Sequence, residues 1–338
     1  MPETRASNIS LKRLLGYGTN DEPKRARAAT LLKEPGTPWY AIFLIGGGVV
    51  SKCHRYTRDI EKFRVPLTFW ISLMDAVIVI PARYGSSRFP GKPLVSVAGK
   101  SLLERVWRIG QAVSGVDAVV VATDDERLQN HARAFGAEVV MTPASCRNGT
   151  ERTHAALVSM GVHPRIVVNL QGDAVLTPPW IISALIDEML NNPEVRIATP
   201  AVQLEREAYE SMVQMKGRGV VSGTTVTFNV KGDAMYFSKG IIPFIRSSPD
   251  NLEVASKTPV YQHIGLYAFT SESLHQYVAL APGQFESVEQ LEQLRALEHG
   301  IPVRVVQVSM RGRTMWSIDN PEDVPRTEEI ISREGELI

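Results

Sequence analysis

A loop that combines glycine with three cations follows the apolar run VIVI at residues 77–80. It reads PARYGSSRFPGKPL over residues 81–94, and its cations are Arg83, Arg88 and Lys92. Backbone N–H groups in such a loop bind phosphate, and cationic side chains neutralise it. In a parallel α/β sheet, ligands bind beyond the carboxyl ends of the strands, where this loop would lie. The residues predict a phosphate site, and the alternative that they leave open is a basic turn in solvent.

Three common catalytic patterns do not fit this sequence. The phosphate loop of kinases needs four residues between its glycines and Ser or Thr after its lysine. Here five residues separate Gly85 from Gly91, and Pro93 follows Lys92. The chain contains neither the G-x-G-x-x-G pattern of dinucleotide-binding enzymes nor the G-x-S-x-G pattern of many hydrolases. These facts argue against a P-loop kinase, a Rossmann dehydrogenase and a serine hydrolase.

Two aspartates follow apolar segments elsewhere in the chain. Asp173 comes just after the apolar segment at residues 165–170, so its carboxylate should point into the same crevice as the loop. Asp319 follows a shorter apolar segment at residues 316–318. Each aspartate also has a plain structural explanation as a turn or helix-cap residue, because Asp319 stands two residues before Pro321.

Short apolar runs alternate with helical patterns after residue 74. The predicted strands lie at residues 76–80, 117–123, 138–141 and 165–170, and the helices at 101–112, 125–135, 150–160 and 179–190. This order predicts an α/β fold with a doubly wound, largely parallel sheet. The later part predicts a smaller mixed lobe, with strands at residues 226–230, 234–237, 264–269 and 302–308 and helices at 287–298 and 321–332. The irregular segments 204–223 and 247–258 are the best candidates for a lid or an insertion.

Charge separates the first 73 residues from the remainder. Residues 1–73 carry 12 Lys and Arg against 6 Asp and Glu, and the remaining residues carry 25 against 30. We therefore expect a catalytic domain at residues 74–338 and an extension at residues 1–73 outside the catalytic fold. The extension is interpreted as disordered or as upstream sequence from a misassigned start, with a membrane-surface anchor as the alternative. A stable membrane insertion is not expected, because the apolar run at residues 39–50 is shorter than the roughly 20 residues of a spanning helix.

Composition also bears on partners and compartment. A main domain with net negative charge argues against a nucleic-acid partner. The two cysteines, Cys53 and Cys146, lie too far apart in sequence for a metal knuckle or a disulfide framework. A reducing compartment, hence the cytoplasm, is the expected location.

Eight segments carry a family resemblance that covers about residues 75–330. They are VIVIPARYGSSRFPGKPL (77–94), VVATDDE (120–126), NGTERTHAA (148–156), NLQGD (169–173), AMYFSKGIIP (234–243), HIGLYAF (263–269), VEQLEQLRAL (288–297) and SIDNPEDV (317–324). In order and spacing they resemble the CMP-KDO synthetases, which are 3-deoxy-manno-octulosonate cytidylyltransferases. The resemblance implies a nucleotide-diphospho-sugar transferase-like fold and a homodimer.

The resemblance also implies a reaction and a set of site residues. The reaction is Mg²⁺-dependent transfer of CMP from CTP to the anomeric hydroxyl of KDO, with release of pyrophosphate, for lipopolysaccharide or capsule synthesis. The implied catalytic residues are Arg83, Lys92 and Asp173, and Asp173 and Asp319 would hold Mg²⁺. The implied nucleotide-binding residues are Arg83, Ser86, Arg88, Lys92 and Arg152. The implied sugar-binding residues are Gln171, Arg246, His263, Tyr267, Glu292 and Gln293.

The sequence departs from the family pattern at a few positions. Ala174 and Val175 stand where the family has Glu-Pro, Lys239 stands where it has arginine, and Thr225 stands where it has lysine. Two alternatives therefore stay open. One is a cytidylyltransferase for a related ulosonic or nonulosonic acid, and the other is a nucleotide-binding descendant without catalytic activity.

Overall fold

The computed structural model describes residues 28–32, 40–45, 48–52, 75–85, 89–246 and 257–338. The chain divides into two compact units, Met1–Val65 and Pro66–Ile338. In the first unit, β1 (Ala28–Leu32), β2 (Tyr40–Ile45) and β3 (Gly48–Lys52) form an antiparallel sheet in that order. The predicted boundary between residues 73 and 74 lies outside the described residues and stays a prediction.

The second unit contains the remaining described elements. Its strands are β4 (Ala76–Ala82), β5 (Ser96–Val97), β6 (Lys100–Ser101), β7 (Ala118–Thr123), β8 (Glu138–Met141), β9 (Ile166–Asn169), β10 (Ile197–Glu205), β11 (Thr225–Phe228), β12 (Ala234–Ser238), β13 (Lys257–His263), β14 (Tyr267–Thr270) and β15 (Arg304–Val308). Its helices are α1 (Leu102–Gln111), α2 (Glu126–Ala134), α3 (Gly149–Met160), α4 (Pro179–Asn191), α5 (Arg206–Gly217), α6 (Ser271–Ala279), α7 (Gln284–Glu289), α8 (Leu294–Glu298) and α9 (Asp323–Glu334).

Ten of these strands form one mixed sheet with a parallel half. Strands β9, β4, β7 and β8 lie side by side in that order, and all three pairs are parallel. Strands β14, β10, β13, β11 and β12 continue the sheet from β9 through antiparallel pairs, and β15 pairs with β10 in parallel. The α/β class, the parallel sheet and the mixed lobe are confirmed. The carboxyl ends of β4 and β9, which precede the cationic loop and Asp173, are therefore neighbours.

Side chains of β4 alternate between two apolar cores. Ile78 and Ile80 face a core that includes residues of α1, α4 and α9, and Val77 and Val79 face a core that includes residues of α3 and α6. Every residue of β4 is buried. This explains why its sequence is a continuous apolar run, since a strand covered by helices on both faces has no polar side.

Three predicted elements differ from the structure. The segment 204–223 contains helix α5, which buries only Met212 and therefore lacks a recognisable apolar stripe. The strand predicted at 264–269 begins only at Tyr267, as β14, because residues 264–266 separate it from β13, which ends at His263. The helix predicted at 287–298 is also broken, since Gln290 adopts the left-handed conformation (φ 53°) between α7 and α8. In the segment 247–258, residues 247–256 lie outside the described residues.

Among the helices that the structure describes, none has the length and apolar character needed to cross a membrane.

Candidate active site

The two described parts of the cationic loop, residues 81–85 and 89–94, contact each other after β4. Gly91 has φ 73°, a conformation that favours glycine, and its N–H donates to the carbonyl of Tyr84 (2.9 Å). A Cβ on Gly91 would lie 3.3 Å from the Tyr84 ring, and the Arg127 guanidinium lies 3.4 Å from the centroid of that ring. The turn and this cation–π contact fix the start of the short 3-10 helix Lys92–Leu94. Lys92 is thereby directed towards the edge of the sheet.

Lys92 meets both predicted aspartates. Its Nζ lies 3.0 Å from Oδ2 of Asp173 and 3.9 Å from Oδ1 of Asp319. Lys92 is mostly buried, whereas the two carboxylates are about one-third and two-fifths exposed. The three side chains come from segments far apart in sequence, and the fold gathers them at one edge of the sheet. The expectation that Asp173 points into the same crevice as the loop agrees with this contact, and Asp319 lies there as well; the roles of the three residues stay predictions.

Neighbouring contacts hold the two aspartates in place. Gly172, just before Asp173, packs so closely that a Cβ would lie 2.9 Å from the carbonyl oxygen of Pro81. The N–H groups of Asp319 and Asn320 both donate to Oδ2 of Asp323 (2.9 and 2.8 Å). Asp323 therefore supplies the turn-forming carboxylate at the start of α9, and the Asp319 carboxylate faces Lys92 instead. The segment before Asp319 is held by Trp316, over whose ring Arg326 lies at 3.8 Å from the centroid.

Helix α3 points its amino end at the same crevice. Oδ1 of Asn148 caps the helix by accepting from the N–H of Glu151 (2.8 Å). Arg152 lies in the first turn and is buried, with Nη1 donating to Oγ1 of Thr142 (2.7 Å) and Nη2 at 3.2 Å from Oδ2 of Asp124. A helix amino terminus and a fixed guanidinium both favour an anionic ligand.

These groups line one cleft of about 260 Å³. Its lining residues are Pro81, Ala82, Arg83, Lys92, Pro93, Cys146, Arg147, Asn148, Gly149, Arg152, Gln171, Gly172, Asp173 and Asp319. The cleft thus brings together Arg83, Lys92, Arg152, Gln171 and both aspartates of the predicted site. Ser86 and Arg88 lie outside the described residues.

Sequence reasoning missed three cleft residues, Cys146, Arg147 and Asn148. Cys146 and Arg147 directly precede the NGT segment, and Asn148 is its first residue; this position was the available signal, because the residues that lead into a helix amino terminus share its site. Arg147 forms an ion pair with Glu151. Burial raises the pKa of the Cys146 thiol above its usual range, and the structure records this thiol as free.

The remaining predicted sugar-binding residues lie elsewhere in the second unit. Tyr267, Glu292 and Gln293 line a separate small cavity of about 10 Å³. The Tyr267 hydroxyl donates to Oε1 of Gln293 (2.9 Å), and Glu292 Oε1 accepts from Thr150 Oγ1 (3.0 Å). Burial raises the pKa of Glu292, while the Thr150 hydroxyl and the charge of Arg295 act to lower it.

His263 and Arg246 do not line either cavity. His263 is buried, with Nε2 at 2.7 Å from Oγ1 of Thr199, and burial lowers its pKa to about 3. Arg246 is exposed and ends the described segment before residue 257. Their predicted contacts with a sugar acid stay predictions.

Cationic side chains, a helix amino terminus and paired carboxylates at the carboxyl edge of a parallel sheet are typical of the sites of nucleotidyltransferases. The family profile described as cytidylyltransferase matches residues 77–307. A 3-deoxy-manno-octulosonate cytidylyltransferase from Maricaulis maris is 53% identical over 265 residues, which cover 78% of this chain and 100% of that protein. A protein of the same name from Anaeromyxobacter dehalogenans is 42% identical and covers 77% of this chain and 99% of its own.

Solved structures agree with these relatives. CMP:2-keto-3-deoxy-manno-octonic acid synthetase complexed with CTP superimposes with a TM-score of 0.66 at 34% identity, and the match covers 77% of this chain and 99% of that one. A 4-diphosphocytidyl-2C-methyl-D-erythritol synthase from Anaerococcus prevotii shares the fold, with a TM-score of 0.50 at 13% identity over 77% of this chain and 99% of that one. The chain belongs to the 3-deoxy-manno-octulosonate cytidylyltransferase family.

Proposed function

We propose that this enzyme transfers CMP from CTP to the anomeric hydroxyl of KDO. The hydroxyl oxygen loses its proton and bonds to the α-phosphorus of CTP, the bond from that phosphorus to the bridging oxygen breaks, and pyrophosphate leaves. The observation that carries the proposal is the approach of Lys92 Nζ to Asp173 (3.0 Å) and Asp319 (3.9 Å) in a cleft that also holds Arg83 and Arg152. It is supported by membership of the family.

The cations of the cleft would bind and orient the triphosphate. Arg83 and Lys92 carry positive charge where negative charge develops on the leaving pyrophosphate, and such stabilisation supplies much of the catalysis in phosphoryl-type transfer. Arg152, held by Thr142 and Asp124, needs little reorganisation to meet an anion. Ser86 and Arg88 are proposed to complete the loop's contacts.

Asp173 and Asp319 have the donor chemistry for Mg²⁺. Mg²⁺ is usually held by one or two carboxylates together with substrate phosphates and water, not by a cage of protein ligands. Within the described residues, no group of three or more His, Cys, Asp or Glu side chains is arranged to hold a metal. Two carboxylates that flank one ammonium fit a site completed by the nucleotide. Neutralisation of phosphate charge is the chemistry that Mg²⁺ supplies when bound there.

The acceptor side is proposed to use Gln171, Arg246, His263, Tyr267, Glu292 and Gln293. Gln171 lies in the cleft beside Gly149, whose added Cβ would come within 2.9 Å of Gln171 Oε1. Lys239, which replaces the family arginine, donates its backbone N–H to Glu289 Oε2 (2.8 Å). KDO is favoured because the relatives up to 53% identical carry its name. A related ulosonic or nonulosonic acid is the second candidate, since Lys239 lacks the planar fork of arginine.

The test is pyrophosphate release from CTP and KDO, run beside the other three nucleoside triphosphates and a panel of sugar acids. The proposal predicts turnover with CTP and KDO above every other pair. A preference for another sugar acid would mean that the acceptor is not KDO, while the reaction would still be cytidylyl transfer. CTP binding without turnover on any acceptor would instead indicate a non-catalytic descendant.

The magnesium role has its own test. Asp319→Asn should raise the Mg²⁺ concentration for half-maximal rate severalfold, because one carboxylate charge is lost from the metal site. Unchanged Mg²⁺ dependence in this variant would contradict the assignment.

We also propose a cytoplasmic homodimer that supplies activated sugar for lipopolysaccharide or capsule. The reducing compartment indicated by the cysteines supports the location, and family membership supports the assembly. Light scattering of the purified protein tests the dimer, and a monomer under assay conditions would contradict it.

A further inference from the structure

Two buried polar side chains, Asn169 and Thr150, connect the end of β9 with Glu292 through hydrogen bonds. Nδ2 of Asn169, the last residue of β9, donates to Oγ1 of Thr150 (2.9 Å). Oγ1 of Thr150, in the first turn of α3, donates to Oε1 of Glu292 (3.0 Å). Asn169 is 0% exposed and Thr150 is 1% exposed. Neither side chain lines the cleft or the small cavity, so neither contacts a ligand there.

The direction of these hydrogen bonds is fixed by the proton count. A threonine hydroxyl has one proton and accepts through its oxygen lone pairs. Because the Asn169 amide donates to that oxygen, the single hydroxyl proton is left for the Glu292 carboxylate. The two hydrogen bonds therefore orient the Thr150 hydroxyl so that it donates to Oε1 of Glu292. The cost of this arrangement is a buried Oδ1 of Asn169 that has no hydrogen-bond partner among the described residues.

Glu292 needs such a support because its own backbone is irregular. It lies between α7 and α8, after the left-handed Gln290. Its carbonyl oxygen accepts from the Tyr277 hydroxyl (2.6 Å), so the backbone and one carboxylate oxygen are each fixed by a buried hydroxyl. Asn169 lies two residues before Gln171 and four before Asp173 in sequence, so the support comes from the strand that leads into the cleft.

We propose that Thr150 and Asn169 are positioning residues that hold the Glu292 carboxylate in the orientation used to bind the acceptor sugar. The inference rests on the proposed function, because it takes Glu292 as an acceptor contact. It assigns Asn169 and Thr150 an effect on acceptor binding, although both are core residues. Thr150 and Asn169 are expected to affect binding of the acceptor sugar and to leave the proposed triphosphate contacts of Lys92 and Arg83 unchanged.

The first experiment compares Thr150→Val with Thr150→Ser. Valine keeps the shape and removes the hydroxyl, whereas serine keeps it. Because the lost hydroxyl donates to the Glu292 carboxylate, Thr150→Val should raise the KM for the sugar acid roughly tenfold or more. The KM for CTP should change less than about twofold, and Thr150→Ser should restore the parent KM for the sugar acid. Equal rises in both KM values would mean a general structural effect and would overturn the inference.

The second experiment is a double-mutant cycle with Glu292→Ala. If Thr150 acts through Glu292, Thr150→Val should add little to the KM for the sugar acid in the Glu292→Ala background. Asn169→Ala should show the same pattern with a smaller rise. If Thr150→Val raised the KM for the sugar acid by the same factor in both backgrounds, Thr150 would not act through Glu292 and the inference would be wrong.

Two controls keep the result interpretable. If Thr150→Val fails to fold, Thr150→Ala compared with Thr150→Ser decides the same question. Suppose the parent enzyme turns over CTP and a sugar acid, and Thr150→Val leaves the KM for that acid unchanged. This result would reject the positioning role of Thr150 and keep the proposed function. A parent enzyme inactive with every sugar acid would reject the proposed function and this inference with it.

Discussion

Lys92 is the residue on which the proposed nucleotide site depends, because its ammonium lies between two carboxylates. Both ion pairs limit the rotamers of this long flexible side chain. The ammonium is thus already placed at the cleft wall, and binding of a triphosphate costs less side-chain entropy than it would with a free lysine. The same pairing keeps the two carboxylates near each other.

Replacement of Lys92 should therefore affect turnover more than stability. Lys92→Ala is expected to lower kcat about 10²–10³-fold, since it removes a charge that stabilises the leaving pyrophosphate. Lys100→Ala is the matched control, because Lys100 pairs with Glu336 (3.6 Å) and does not line the cleft. Steady-state pyrophosphate release measures both variants. Similar losses in the two would show that the effect is not specific to the cleft.

His263 makes a prediction about stability and pH. Burial lowers its pKa from 6.5 to about 3, so the folded protein keeps it neutral while the unfolded chain takes up a proton below about pH 6.5. The stabilisation is fully present above pH 6.5 and is lost as the pH falls towards 3. This single group should contribute a slope of up to about 1.4 kcal/mol per pH unit to the free energy of unfolding in that window.

The measurement is urea unfolding between pH 7 and pH 4.5. His263→Gln should lower the slope of the free energy of unfolding against pH by the amount that corresponds to about one proton. His163→Gln, at an exposed position, should leave this slope unchanged. A parallel pH dependence in the parent and the His263→Gln variant would show that the histidine is protonated in the folded state as readily as in the unfolded one.

At the scale of elements, the close approach of the ends of β9 and β4 positions Asp173, the aspartate proposed to hold Mg²⁺. A Cβ at Gly172 would lie 2.9 Å from a backbone oxygen of Pro81, which cannot rotate away as a side chain would. Gly172→Ala should therefore push apart the ends of the two strands and displace Asp173 from Lys92. We expect a loss of about 1–3 kcal/mol in the free energy of unfolding, together with a clear drop in kcat.

The control for that substitution is Gly217→Ala. Gly217 ends helix α5 and has open space around its added Cβ, so alanine there should be neutral or slightly stabilising. Thermal unfolding and kcat are compared for the two variants. A Gly172→Ala enzyme with parent kcat would show that the ends of β4 and β9 tolerate separation.

The elements that sequence reasoning could predict are those with local signals. The buried runs of β4, β7 and β9 are apolar and β-branched, and parallel strands place their following loops at one edge, so the meeting of Lys92 with Asp173 could be expected. The breaks after His263 and at Gln290 depend on backbone geometry that apolar periodicity does not encode. The contact of Thr150 with Glu292 joins residues 142 positions apart, and no local pattern predicts it.

At the scale of the whole molecule, the C-terminal segment is tied to the hairpin that follows the cationic loop. Arg105 is 5% exposed and donates to the carbonyls of Val97 and Ala98 and to the carboxylate of Glu336 (2.8 Å). Glu328 Oε1 accepts from the N–H of Ala98 (2.8 Å). The hairpin β5–β6 is thus stabilised by side chains near both ends of the catalytic fold.

Arg105→Ala should destabilise the entire second unit. It removes the guanidinium donors to two carbonyls and leaves the Glu336 carboxylate with Lys100 alone, so the free energy of unfolding should fall by about 1–3 kcal/mol. Arg108→Ala, on the same helix, removes a surface ion pair with Glu104 (2.8 Å) and should cost less than about 1 kcal/mol. Denaturant unfolding compares the two. Equal costs would mean that the buried guanidinium contributes no more than a surface pair.

The indole of Trp316, three residues before Asp319 and beneath Arg326, gives the enzyme an optical reporter near the carboxylate proposed to hold Mg²⁺. Its emission should respond when ligands reorganise that short segment, and the spectral difference from a Trp316→Phe sample isolates this signal from the other tryptophans. Magnesium and CTP titrations could then be followed by fluorescence in a cuvette, without a coupled assay and before any acceptor is added.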